Sequence, residues 1–346
     1  MARAYAAAAR LRRGFYARRP DLQHMLEHPV ISIGNLAAGG RAKTPMAALA
    51  AAALRDAGER PSILSRGYAR RVHEDGVVVA RDPSGIRADL DRTGDEPSML
   101  ARTLDGVAVL VSPSRFLAGR LAETQFGCTV HLLDDGFQHF DLYRDADLVV
   151  LAPDDLARPV TLPSGHLREP LDVLAAADAV VWLEAGPRDP VHPSGLEQVS
   201  KPGRPVWRAR RRQGAPTTAA PVLAVAAIAS PAAFFRGLRD GGWNVAGELS
   251  FRDHYRYTAG DLERICRQAS DAGAARIVTT DKDLVRLLPF RPWPVPIEAV
   301  PLSIALDDPA SFTDWLLSVA RRTGRSPRRD ANCRGDIGAA APTGHA

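Results

Sequence analysis

Through the first half of the chain, short uninterrupted apolar runs alternate with longer stretches whose apolar residues recur at helical spacing. Residues 30–33, 63–64, 107–111, 129–133, 148–151 and 179–183 read as strands, and 45–57, 96–104 and 115–126 as helices. Strands that are apolar throughout, separated by helices, predict a mostly parallel sheet covered on both faces. Residues 77–80, after Asp75-Gly76, read instead as a local hairpin arm. A second, smaller α/β pattern follows: strand 222–228, helices near 234–239 and 261–272, strands 276–279 and 303–306, and a closing helix over 310–321. Between the two patterns the chain is rich in Pro, Gly and Arg, and after Arg322 in Arg, Pro, Gly and Ala. The expected organisation is a basic N-terminal helix over 1–20, a main α/β domain over 21–200, a linker or crossover over 201–221, a second α/β domain over 222–322 and a disordered tail over 323–346.

Composition sets limits on function. With 346 residues, 45% hydrophobic and 25% charged, the chain is long enough for two folded domains and excludes wholesale disorder or a collagen-like repeat. No apolar run approaches the ~18 residues of a spanning helix, so a soluble protein is expected. Cys128, Cys266 and Cys333 share no close spacing, which indicates neither a disulfide framework nor a zinc site and fits a reducing cytoplasm. A net charge of +5, with few aromatics near the basic runs, argues against a dedicated nucleic-acid binder. No obligate protein partner is inferred. Only three lysines occur (Lys43, Lys201 and Lys282), the other 42 basic residues being arginine. Where a lysine persists against that bias, a compact ammonium has a use that a planar guanidinium lacks. Lys43 fits that description; Lys201, in a Pro-rich stretch, does not.

The strongest chemical signal is IGNLAAGGRAKTP, residues 33–45. A buried strand enters a Gly/Ala-rich turn, then Lys-Thr, then a proline suited to a first helical turn. Such a turn aims backbone N–H groups and a helix N-terminus at an anion. Gly39, Gly40, Arg41, Ala42, Lys43 and Thr44 would cradle a nucleotide's phosphates, and the Thr44 hydroxyl would ligate Mg²⁺. In LLDDGFQH (132–139), Asp134 and Asp135 end an apolar strand, where paired carboxylates hold Mg²⁺; a solvated Asp-Gly turn is the alternative. SRGY (65–68), GDEP (94–97) and SPSR (112–115) also follow strands or lie on loops, the end of an α/β sheet where ligands bind. Arg66 and Arg115 suit phosphate contacts. Asp95 suits a general base for an attacking hydroxyl, and equally a helix N-terminus. Arg168 and Glu169 sit beside a small-residue turn in LPSGHLREP (162–170). His254 in FRDHYRY suits a partner for a catalytic carboxylate, or a structural role.

Taken together, GNLAAGGRAKTP, SRGY, GDEP, DDGFQH, PSGHLREP, FRDHYRY and TDKDLVRL resemble the tetraacyldisaccharide 4′-kinase family of lipid A biosynthesis, in the family's order and over roughly residues 30–290. The resemblance implies a P-loop NTPase-type fold with a second α/β domain. It also implies transfer of the ATP γ-phosphate to the 4′-hydroxyl of a lipid A disaccharide 1-phosphate, at the cytoplasmic face of the inner membrane. It further implies Asp95 as catalytic base with His254 as its partner, and Asp134, Asp135, Thr44 and Glu169 around Mg²⁺. Arg66, Tyr68, Arg115, Gln138, His139 and Arg168 would then line the site for phosphates and sugar. Two positions depart from the family pattern, Ala42 and Ala69 standing where glycine is usual. A Cβ at residue 42 is expected to weaken nucleotide binding if that backbone needs positive φ. A P-loop ATPase driving a partner protein would share Lys43, Thr44 and the Asp pair without needing Asp95 and His254. At the N-terminus, Tyr5, Ala8, Leu11, Phe15 and Tyr16 fall at helical spacing among six arginines and no acids, as in a helix lying on an anionic membrane or packed as a basic surface helix.

Overall fold

A computed structural model describes residues 1–39, 42–68, 70–72, 74–184 and 203–322. Gly40, Arg41, Ala69, Lys201 and the expected tail 323–346 lie outside the described residues. The strands are β1 (Val30–Asn35), β2 (Pro61–Ser65), β3 (Val78–Asp82), β4 (Gly85–Ile86), β5 (Ala108–Val111), β6 (Val130–Asp134), β7 (Ala146–Leu151), β8 (Ala179–Leu183), β9 (Val206–Gln213), β10 (Val222–Ala226), β11 (Val245–Ser250), β12 (Arg276–Thr279), β13 (Ile297–Ala299) and β14 (Leu302–Leu306). The helices are α1 (Ala2–Arg18), α2 (Lys43–Asp56), α3 (Leu90–Thr93), α4 (Asp95–Thr103), α5 (Arg115–Phe126), α6 (Pro153–Ala157), α7 (Pro231–Asp240), α8 (Ala259–Asp271), α9 (Asp281–Leu287) and α10 (Pro309–Ala320).

The larger sheet runs β14-β9-β8-β7-β1-β6-β2-β5-β3-β4. From β9 to β5 all pairings are parallel, and antiparallel strands close both edges. The apolar strands are buried on two sides, as their lack of alternation demands. On one face Ile31, Ile33, Leu132 and Val150 pack against Met46, Ala47, Ala50 and Leu54 of α2 and Phe312 and Leu316 of α10. On the other, Leu64, Leu110 and Leu133 pack against Ala118 and Ala122 of α5, while Phe137, Val149 and Trp182 form an adjoining cluster with Leu167. The smaller sheet, β11-β10-β12-β13, is parallel throughout, with α8 and α7 on opposite faces.

Two stretches depart from the expected organisation. Residues 206–213, read as linker, form β9 inside the larger sheet, where Trp207 and Ala209 point into the core while Arg208 and Arg210 point out and pair with Glu184. The alternation is that of a strand; its outward arginines gave the stretch the composition of a linker. The strand and closing helix expected in the second domain return to the larger sheet. β14 pairs antiparallel with β9, in register Ile304↔Arg211, and α10 packs beside α2. Among the described residues no helix is long and apolar enough to cross a membrane.

Candidate active site

β1 and β6 are adjacent and parallel, with Ile33 opposite Asp134, so both strands deliver their C-terminal ends to one place. There the chain after β1 and the DDGFQ turn after β6 approach closely. A Cβ on Gly34 would lie 2.5 Å from Cβ of Phe137 and 2.8 Å from its backbone N, so only glycine allows this contact. The loop after β1 is also zipped to residues 166–168. Arg168 N donates to Leu36 O at 2.6 Å and Ala38 N to His166 O at 2.7 Å, which brings the LREP segment against the loop.

α2 starts directly from this loop. Its N-cap, Ala42, has left-handed backbone (φ 57°, ψ 27°) and gives no side-chain cap, and no acidic residue occupies the first turn. The helix's positive end therefore has, among the described residues, neither a side-chain cap nor an acidic residue of its own first turn to satisfy it. Among the described residues only Ala42, Asp135 and His254 combine a side chain with positive φ, and all three belong to the expected site.

Lys43 Nζ donates to Asn35 Oδ1 at 3.0 Å and lies 3.0 Å from Asp135 Oδ1. Asp135 also accepts two bonds from Arg168 Nη1, at 2.8 and 3.0 Å. Burial works to raise its carboxyl, but Lys43 and Arg168 outweigh burial and hold it below the usual carboxylate range. Asp134 has the opposite environment. It accepts from Thr44 Oγ1 at 3.1 Å, and burial, with Asp135 and Glu96 nearby, pushes its carboxyl up to about 7. A buried acidic oxygen beside a threonine hydroxyl, short of positive charge, fits a hard divalent cation such as Mg²⁺. Among the described residues no three His, Cys, Asp or Glu side chains come together as a metal centre, so phosphate oxygens and water would supply most ligands.

Glu169 does not join that group. Both its oxygens are taken: Arg13 of α1 donates to Oε1 at 3.0 Å and Oε2 at 2.8 Å, and Gln138 Nε2 donates to Oε2 at 2.9 Å. Gln138 Nε2 also donates to Asn35 O at 3.0 Å. Glu169 and Gln138, expected near the metal and substrate, instead tie α1 to the phosphate-loop strand; a buried carboxylate takes the nearest guanidinium, and α1 supplies it.

GDEP and FRDHY meet across the two sheets. Gly94 (φ 86°) lies so close to Tyr68 O that a Cβ there would come within 2.7 Å, which sets α4 against the SRGY turn. Asp95 opens α4; its Oδ2 lies 2.9 Å from His254 Nδ1 and accepts from Arg286 Nη2 of α9. Burial alone would push the Asp95 carboxyl up, yet the bonds from His254 and Arg286 hold it well below the usual range. The bond to Asp95 in turn raises His254. Beside this cluster Glu96 pairs with Lys282. Tyr68 is exposed, its ring 6.1 Å from that of His254.

Arg115 and His139 line a separate cavity of about 430 Å³ with Tyr16, His24, Phe116 and Asp141. Arg115 is 5% exposed and donates from Nη1 to Pro113 O at 3.2 Å; among the described residues it forms no ion pair with a carboxylate and its Nε has no hydrogen-bond partner. Burial, then the charge of exposed Arg66, lowers it to about 10; burial and Arg115 lower His139 to about 4. A buried cation that burial disfavours more than the nearby Asp134, Asp135 and Asp141 favour it suits an anion site. Asn35, Arg13 and Arg286 had not been singled out by sequence reasoning. Lys282 and Arg286 both lie within TDKDLVRL, one of the stretches that carry the family resemblance, but the scarcity of lysine marks Lys282 alone.

A helix N-terminus, a lysine and a threonine at one strand end, with a buried acidic group on the neighbouring strand, define an α/β protein of the P-loop NTPase type. Comparison with known proteins narrows this. The family profile described as tetraacyldisaccharide-1-P 4′-kinase matches residues 1–321, and the chain belongs to that family. A tetraacyldisaccharide 4′-kinase of Koribacter versatilis is 39% identical over 329 residues, covering 92% of this chain and 97% of the relative. One from Anaeromyxobacter dehalogenans is 40% identical over 302 residues, covering 82% and 79%. The crystal structure of LpxK from Aquifex aeolicus in complex with ATP superposes with a TM-score of 0.76 at 28% identity, over 92% of this chain and 96% of that one.

Proposed function

We propose that the protein transfers the γ-phosphate of ATP, with Mg²⁺, to the 4′-hydroxyl of a tetraacyldisaccharide 1-phosphate. The observation that carries this reading is the convergence on Asp95. A phosphate cradle alone serves any P-loop ATPase, but a carboxylate held by two residues of the other sheet suits a hydroxyl acceptor. Lys43 and the first turn of α2 would hold the outer phosphates, with Gly39 and Ala42 shaping the loop. Thr44 and Asp134 would hold Mg²⁺, which when bound neutralises charge developing on the phosphate oxygens. Asp135 would orient Lys43, and Arg168, bonded to Asp135, would contact the transferred phosphoryl group. Asp95 accepts the proton of the acceptor hydroxyl, and His254 fixes its orientation. Arg115, His139, Arg66 and Tyr68 would receive the acceptor's phosphate and sugar.

The acceptor is a lipid, and α1 suits a peripheral position on the cytoplasmic leaflet of an inner membrane. It exposes Tyr5, Leu11 and Phe15 among its arginines, while Arg13 and Tyr16 face the protein. The test is transfer of label from [γ-³²P]ATP to detergent-solubilised tetraacyldisaccharide 1-phosphate, with wild type beside Asp95→Asn. Mg²⁺-dependent label on the 4′ position, largely lost in the variant, is expected. ATP hydrolysis without transfer, undiminished in the variant, would overturn the reading.

A further inference from the structure

Resting on the reading of Asp95 as the base, we propose that Arg286 is the positioning residue for that base, occupying Oδ2 of Asp95 so that Oδ1 faces the acceptor hydroxyl as a charged carboxylate. Arg286 is buried, its side chain 4% exposed. The smaller sheet holds it from behind: Nη1 donates to Ala227 O at 3.0 Å and to Asp283 Oδ1 at 2.9 Å. Asp283 is fully buried and anchored in turn, accepting from Ala227 N at 2.9 Å and Thr280 Oγ1 at 2.8 Å. With one end of the guanidinium fixed by its own sheet, Nη2 reaches Asp95 across to the larger one. Both donors to Asp95, Arg286 Nη2 and His254 Nδ1, converge on Oδ2, and Oδ1 accepts no hydrogen bond among the described residues.

The division of labour follows from the two side chains. Guanidinium does not lose its proton under working conditions, so Arg286 contributes a fixed charge, whereas His254 can titrate. In the transfer, the acceptor oxygen bonds to the γ-phosphorus as the bond to the β–γ bridging oxygen breaks and ADP leaves; the hydroxyl proton passes to Oδ1. A carboxylate held so firmly in its charged form takes that proton late, which suits a loose phosphoryl transition state. The other charged or titratable groups facing the cluster among the described residues are Glu96 with its partner Lys282, Asp253 beside His254, Asp283 and the buried Tyr257 behind Arg286, and Tyr68 across the His254 ring.

The experiment measures kcat and KM against pH for wild type, Arg286→Gln, Arg286→Lys and Asp95→Asn, with a thermal melt of each. Arg286→Gln is expected to lower kcat on the order of 10- to 100-fold with KM for ATP nearly unchanged. Its acidic half-point of kcat should move to higher pH, because burial is then opposed by His254 and no longer by Arg286. Arg286→Lys should restore the acidic limb but not full kcat, since one ammonium cannot span both carboxylates. Lost activity with an unmoved acidic limb in the Gln variant would make Arg286 a structural bridge only and overturn the proposal, as would kcat within twofold of wild type. Should Asp95→Asn keep wild-type kcat, the base reading itself fails, a result separate from either Arg286 outcome.

Discussion

Replacing Arg13 by Met strands a buried charge. In the native protein the Arg13 and Glu169 side chains are only 13% and 4% exposed. The guanidinium makes two bonds to Glu169, donates a third to Phe137 O at 3.1 Å, and lies 4.1 Å from the Phe137 ring centroid. Methionine keeps much of the apolar packing but, among the described residues, leaves Glu169 with Gln138 as its one remaining donor. Breaking a buried pair in this way costs about 3–5 kcal/mol, mostly through the uncompensated charge. For a chain of this length that corresponds to a fall in Tm of roughly 4–7 °C. The informative assay is a double-mutant cycle by thermal or urea unfolding, adding Glu169→Gln to both backgrounds. Removing the stranded charge should recover about 2 kcal/mol, so the double variant is more stable than Arg13→Met alone. If the two effects simply add, the pair is not what holds α1 to the phosphate-loop strand, and Glu169 is again open to a role at the metal.

Three further outcomes are expected. Ala42→Gly relieves about 1–2 kcal/mol of left-handed strain, offset by greater unfolded freedom and a lost buried methyl, so Tm should barely move while ATP binds more tightly; unchanged affinity and rate would show that the Cβ does not crowd the phosphates. Asp134 keeps its proton up to about pH 7 when folded but loses it near 4 when unfolded, so it costs stability progressively between those values and fully above 7, by up to about 4 kcal/mol. Without divalent cation Tm should therefore fall from pH 5 to 8, and both Asp134→Asn and added Mg²⁺ should flatten that slope; an equal slope in the variant would refute the assignment. Leu11→Ser with Phe15→Ser, at positions 72% and 50% exposed, should leave Tm unchanged and lower co-sedimentation with anionic vesicles about tenfold or more, whereas full retention would remove α1 as the membrane face.

Local patterns in the chain determined a good deal of this protein. Strand β1, the glycine-rich turn and α2 are consecutive, so periodicity, Lys43-Thr44 and Pro45 suffice to read a phosphate cradle. The same holds for the apolar strand that ends in Asp134. These features depend on neighbours within a few residues, which is the range over which residue type biases backbone and burial. The association of Asp95 with His254 came from family resemblance, because 159 residues separate them and neither reveals its partner locally. Only the tertiary structure decided that β9 and β14 belong to the larger sheet, since alternation gives a strand its face but not its neighbour. Only it decided that Glu169 takes Arg13, 156 residues away, and that Arg286 takes Asp95 at a separation of 191. An arginine in the sequence is a charge with a long reach; which carboxylate it meets is settled by the packing of the two sheets, where burying either charge alone would cost more than pairing them.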